Sequence, residues 1–144
     1  MINIRNQKEI NLIKESSGIV FDVLESLNEL ITPGASPKDL DSFAENYIKN
    51  NGGIPAFKGY MGFPSTLCIS VNEEVVHGIP SERLLKNGDI VSIDCGVLKN
   101  GFYGDSARTY AVGKISKELN NLLDVTKKSL SLGIKSAKTG GRLS

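Results

Sequence analysis

Asp94 and Asp105 flank the dipeptide Asn100-Gly101 in a run of β-branched, aromatic and small residues. Asn-Gly is the strongest short-range hairpin signal, because both central positions of a type I′ turn take positive φ. Folding about that turn sets Lys99 opposite Phe102, Leu98 opposite Tyr103, Gly96 opposite Asp105 and Asp94 opposite Ala107. Opposed residues share a face of a ribbon, as do residues two apart on one strand. Asp94, Ala107 and Asp105 therefore project from one side, with the Cβ atoms of the two aspartates about 7 Å apart or less. Asp is depleted in strands, and two like charges on a half-buried face repel or raise each other's pKa unless a cation sits between them. A divalent metal resolves that conflict, and a pair of metals about 3.5 to 4 Å apart, bridged by one carboxylate, fits the same geometry. The alternative is a solvated face on which both aspartates are ordinary surface groups. The Ile90-Val91-Ser92-Ile93 run ahead of Asp94, which reads as buried on both sides, argues against it.

His77 is the single histidine, placed after a strand-like stretch and before Gly78 and Pro80, which hold the loop in a fixed shape. An imidazole can donate a hydrogen bond to a substrate carbonyl or a developing oxyanion. A lone loop histidine also serves as a structural or exposed residue, and the residues alone leave both readings open. No serine lies in a nucleophile-elbow pattern, and neither cysteine forms a recognisable dyad with His77. In Ala56–Pro64, Phe57, Tyr60 and Phe63 either wall a small apolar pocket or pack the loop onto a sheet. Cys68 and Cys95 lie in apolar, strand-like surroundings and read as buried small hydrophobes rather than a disulfide.

Helices and strands must position these groups. Apolar residues at Ile10, Ile13, Val20, Leu24, Leu27 and Ile31, in steps broken only at Ser17, predict an amphipathic helix that ends at Thr32-Pro33-Gly34. Ser36 as N-cap, Pro37 at the first helical position and Asp39 three residues after the cap predict a second helix, closed by Asn50-Asn51-Gly52-Gly53. Ser65 to Val71, Asp89 to Leu98 and Phe102 to Val112 read as strands. A final helix is expected from about Ser116 to Lys138, with Leu119, Leu122, Leu123, Thr126, Leu130, Ile134 and Ala137 on one stripe. That order predicts an α+β fold in which helices cover one face of a mainly antiparallel sheet. Thr139-Gly140-Gly141-Arg142-Leu143-Ser144 echoes the helix stop and new cap at Thr32 to Ser36, which suggests the start of a second structural repeat.

With 144 residues, 40% hydrophobic and 23% charged, the chain has the size and composition of one globular domain. Its 17 basic and 16 acidic residues are interspersed, so it carries no electrostatic footprint for nucleic acid or an anionic membrane. The N-terminus lacks the apolar stretch of a signal peptide, and a cytosolic location is expected.

The chain resembles the type I methionine aminopeptidases over essentially its whole length. The resemblance is carried by Gly59-Tyr60-Met61-Gly62-Phe63-Pro64, by Cys68-Ile-Ser-Val-Asn-Glu-Glu-Val-Val-His77-Gly-Ile-Pro80, by Gly88-Asp-Ile-Val-Ser-Ile-Asp94 and by Gly101-Phe-Tyr-Gly-Asp105. It implies the pita-bread fold of two pseudo-symmetric halves, of which residues 1–144 form the first as a single incomplete domain. It implies that Asp94 and Asp105 bind two divalent ions drawn from Co, Mn, Fe, Zn or Ni, with Asp105 bridging them. It also implies that His77 binds substrate and stabilises the tetrahedral species, and that Tyr60, Phe63 and Cys68 line the pocket for a methionine side chain. Phe57 stands at a further pocket position where many bacterial members have a small residue. The implied substrate is the N-terminal methionine of nascent polypeptides, met close to the ribosome by an enzyme that is monomeric when complete. Members of the family draw a histidine and two glutamates from the second half, so weak metal binding and no turnover are expected of these 144 residues alone. Two rival readings are a related proline-specific dipeptidase and a non-catalytic pita-bread module that binds peptides. A sheet edge and face left uncovered by a second half also predict self-association.

Overall fold

In the computed structural model residues 3–142 are described, and Leu143 and Ser144, where the echoed cap falls, lie outside them. The first helix, α1, spans Gln7–Leu30. Its start is a reciprocal cap in which Asn6 Oδ1 accepts from Glu9 N at 3.0 Å and the Glu9 carboxylate accepts from Asn6 N at 2.8 Å. This satisfies two backbone donors that the first helical turn leaves free. The buried face runs through Ser16, Ile19, Val20, Val23, Leu24 and Leu27. The polar position on this face is Ser16 and not Ser17, which is exposed: Ser16 Oγ donates to the carbonyl of Phe102 at 2.8 Å, so helix and sheet backbone meet there.

The second helix, α2, spans Pro37–Asn50 and buries Pro37, Leu40, Ala44 and Ile48. Ser36 occupies the N-cap position, but its side chain makes no cap and the expected pairing with Asp39 does not form. The segment 81–85 docks against this helix start instead, with Lys38 N donating to the Ser81 carbonyl at 3.1 Å and Gly34 N to the Leu85 carbonyl at 2.7 Å.

Four antiparallel strands form one sheet: β1 (Ile54–Pro55), β2 (Leu67–Val71), β3 (Ile90–Lys99) and β4 (Phe102–Ala111). β3 is central, pairing on one side with β4 and on the other with β2 and then β1. The turn is as expected, with φ of 52° at Asn100 and 80° at Gly101. The register is also as expected, Asp94 opposite Ala107 and Gly96 opposite Asp105. Val91, Ile93, Cys95 and Val97 point into the core with Val23, Leu27 and Ile48. Ile90, Ser92 and Asp94 on the other face are half-buried, so β3 is not buried on both sides as its composition suggested. No helix is long and apolar enough to cross a membrane among the described residues.

The last helix, α3 (Lys117–Ser136), is capped by Ser116, whose Oγ accepts from Leu119 N at 3.1 Å. The expected helical cover on the sheet fails here, since α3 buries none of its residues and Leu130 and Ile134 are 65% and 66% exposed. Its stripe faces an open groove of about 1030 Å³ bounded by α1 and β4. Among the described residues β4 pairs with β3 alone, which leaves its outer edge free.

At Gly104 a Cβ would lie 2.5 Å from Ser17 N and 2.6 Å from the Ser16 carbonyl carbon. Gly104→Ala should therefore push α1 off β4 and lower stability by about 1–3 kcal/mol, as overpacking does, read from the urea unfolding midpoint. The free β4 edge and bare α3 stripe should make the chain self-associate. Light scattering that shows a clean monomer at high concentration would contradict this.

Candidate metal centre

The face of the sheet opposite α1 and α2 carries Cys68 and Ser70 on β2, Ser92, Asp94 and Gly96 on β3, and Asp105, Ala107 and Thr109 on β4. Cys68 is directly opposite Asp94, and Asp105 is directly opposite Gly96. Asp94 is half-buried and Asp105 exposed. Burial pushes the Asp94 carboxyl above its ordinary range. The negative charge of Asp105 adds to that, as does the hydrogen bond protonated Asp94 would make to it, while the Cys95 N–H and His77 oppose it. Asp105 lies diagonally across the β3–β4 ladder from Asp94, which is opposite Ala107 while Asp105 is opposite Gly96. Asp94 Oδ1 is buried and has no hydrogen-bond partner among the described residues. An unsatisfied buried carboxylate oxygen beside a second carboxylate is a costly arrangement in water and a favourable one around a cation. The pair therefore fits the oxygen donors a hard divalent ion takes. It is a partial set, because the described residues contain no group of three or more His, Cys, Asp and Glu that could hold a metal.

His77 is exposed, in the loop after β2, with φ at 59°. Next to it, Gly78 lies flat against β2: Ile69 N donates to its carbonyl at 2.9 Å, and its own N–H donates to Ser70 Oγ at 3.1 Å. The root of this loop is tied by Asn72, whose side chain donates to Asp89 Oδ1 at 2.9 Å and accepts from Ile90 N at 3.0 Å.

The aromatic loop takes more than one role. Phe57 covers Gly96, where a Cβ would lie 2.4 Å from its ring, so its ring stands beside both aspartates. Phe63 is half-buried, whereas Tyr60 is 69% exposed on a single 3-10 turn, Tyr60–Gly62. The loop is tied to α2 by Lys58 Nζ on the Glu45 carboxylate at 2.7 Å, and the start of β2 by Leu67 N on Asp41 Oδ1 at 2.7 Å. Cys68 is buried, and burial followed by the charges of Asp94 and Asp105 raises its thiol to about 11. Cys95 is raised to about 12, chiefly by burial. Neither is a thiolate near neutral pH, so neither supplies a nucleophile. Asp41, Ser70, Asn72 and Asp89 escape a reading of residue types, because each acts on a backbone or side-chain partner that only the folded chain brings near.

The fold is one half of a pita-bread metallopeptidase domain. A family model described as metallopeptidase family M24 matches residues 11–144, and the chain belongs to that family. Methionine aminopeptidase 1 of Bacillus subtilis is 51% identical over 144 residues, which are 100% of this chain and 58% of that protein. A crystal structure of methionine aminopeptidase from Thermotoga maritima matches with a TM-score of 0.94 at 40% identity, covering 96% of this chain and 56% of the other. A prolidase from Pyrococcus furiosus matches with a TM-score of 0.76 at 26% identity, covering 87% and 36%. The chain thus spans a little over half the length of the methionine aminopeptidases it matches.

A carboxyl raised in the fold keeps its proton to higher pH than in the unfolded chain. From about pH 4, the ordinary Asp value, up to its folded value, the native state binds more protons and stability falls as pH rises. Asp94→Asn should therefore raise the thermal midpoint of the EDTA-treated chain at pH 7 and leave it nearly unchanged below pH 4. A lower midpoint at pH 7 in calorimetry would show that the carboxylate is satisfied.

Proposed function

We propose that the chain carries the first part of the active site of a metal-dependent methionine aminopeptidase, which removes N-terminal methionine from new polypeptides. The observation that supports this reading most is the buried, unpartnered Oδ1 of Asp94 on the same face as Asp105. Asp94 and Asp105 would hold one side of a divalent metal centre, with Mn, Fe and Co equally suited to oxygen ligands. A divalent centre held there would supply metal-activated water, since coordination lowers the pKa of water towards neutrality.

This chain's residues do the rest of the work assigned to it. His77 donates a hydrogen bond from its imidazole N–H to the oxygen of the scissile carbonyl, where negative charge develops. Phe57, over Gly96, and Cys68, opposite Asp94, would wall an apolar pocket beside the aspartates, with Phe63 and Tyr60 assigned to it as further lining. A thioether is well matched to such a wall, since sulfur packs favourably at ring edges. The buried Cys68 thiol adds contact to that wall. An enzyme with this substrate works in the cytosol, close to the ribosome, where methionine-initiated chains emerge.

Titration of this chain with Mn²⁺ or Co²⁺ should give weak binding, with a Kd on the order of 10⁻⁴–10⁻³ M as in loosely built carboxylate sites, lost in Asp94→Asn and in Asp105→Asn. A flat calorimetric trace would favour a metal-free binding module instead. In an active form that joins this chain to the rest of a full-length relative, His77→Ala should lower turnover about 10²-fold or more, as loss of an oxyanion donor does. Unchanged turnover would remove His77 from the chemistry.

A further inference from the structure

His77 stands in the left-handed region, at φ 59°, where a non-glycine residue is strained and persists only if its surroundings hold it. The holding is done one residue later. Gly78 is pressed so close to β2 that a Cβ would meet the Ile69 carbonyl oxygen at 2.2 Å. One of its two bonds, Ile69 N to the Gly78 carbonyl, is backbone to backbone. The other runs from Gly78 N to a single hydroxyl, Ser70 Oγ, on a side chain only 4% exposed. Ser70 lies on the face that carries Cys68 and Asp94, opposite Ser92, so its hydroxyl ties the loop to the strand that forms one side of that face.

We propose that Ser70 is a positioning residue: its hydroxyl fixes Gly78 and thereby sets where the neighbouring His77 imidazole stands relative to the sheet face that carries Asp94. The inference rests on the metal-site reading for its purpose, though not for its geometry. A buried serine in a strand core has little packing value, and an apolar residue of similar size would serve β2 as well. The loop has a separate anchor at its root, where Asn72 bridges Asp89 and Ile90. Removing the Ser70 hydroxyl should therefore release the tip that bears His77 while the root and the β2–β3 ladder stay formed.

The test is amide hydrogen exchange on this chain without metal, followed by NMR of its single histidine. In Ser70→Ala the Gly78 amide should exchange roughly five- to tenfold faster, the worth of one hydrogen bond, while the Ile93 amide at the centre of β3 keeps its rate. Ser70→Thr, which retains the hydroxyl on a residue suited to strands, should restore protection. Unchanged exchange at Gly78, or an equal rise at Ile93 that signals general loosening, overturns the inference. Mn²⁺ is then added. In the wild-type chain it should broaden the His77 Cε1 proton signal, and in Ser70→Ala it should broaden it at most about half as much at equal bound Mn²⁺. Equal broadening in the two chains overturns the positioning role. Failure to broaden the wild-type signal counts against the metal site, and the exchange result still decides the role of Ser70.

Discussion

Like charges on neighbouring strands repel, and the β3–β4 ladder holds Asp94 and Asp105 together in spite of it. That ladder is ten residues long on each strand and closes through Asn100 and Gly101, so neither strand can slide or splay without breaking many bonds at once. A one-residue slip would send one aspartate into the core face among Ile93, Cys95 and Val97. The register that builds the core is therefore the register that aligns the acids.

Two glycines near this hairpin let other elements approach on opposite faces. Gly104 admits α1 to within contact of the backbone on the core side, and Gly96 admits the Phe57 ring on the site side. Ser16 and Phe57 thus sit on the same ribbon from above and below, and the aspartates are framed by a layer that is solid on one face and open on the other. Tyr110 completes the solid side with a hydrogen bond from its hydroxyl to the Leu24 carbonyl at 2.6 Å.

Much of this was legible in the sequence where local rules act alone. Asn100-Gly101 dictates its own turn, and period-two alternation then carries the register from Lys99 to Asp94 without tertiary information. The two long helices followed from their stripes for the same reason. What stayed hidden depends on distant partners. The two-residue strand Ile54–Pro55 is too short for any period to show. Ser36 carries the side chain of a cap, yet the Ser81 segment takes over that helix start. The stripe on α3 shows that an apolar face exists, not what lies opposite it. Asp41 and Ser70 bond to backbone amides of Leu67 and Gly78, partners that carry no side-chain signature.

His77 and Asp105 are exposed, while the residues that stabilise the molecule, from Val23 to Val97, are buried elsewhere. These two exposed groups can change without disturbing the core, whereas Asp94, Cys68 and Ser70 are half-buried or buried and cannot. A relative that lost these two side chains would keep its scaffold, so a fold of this shape can pass from one use of its open face to another without rebuilding its core.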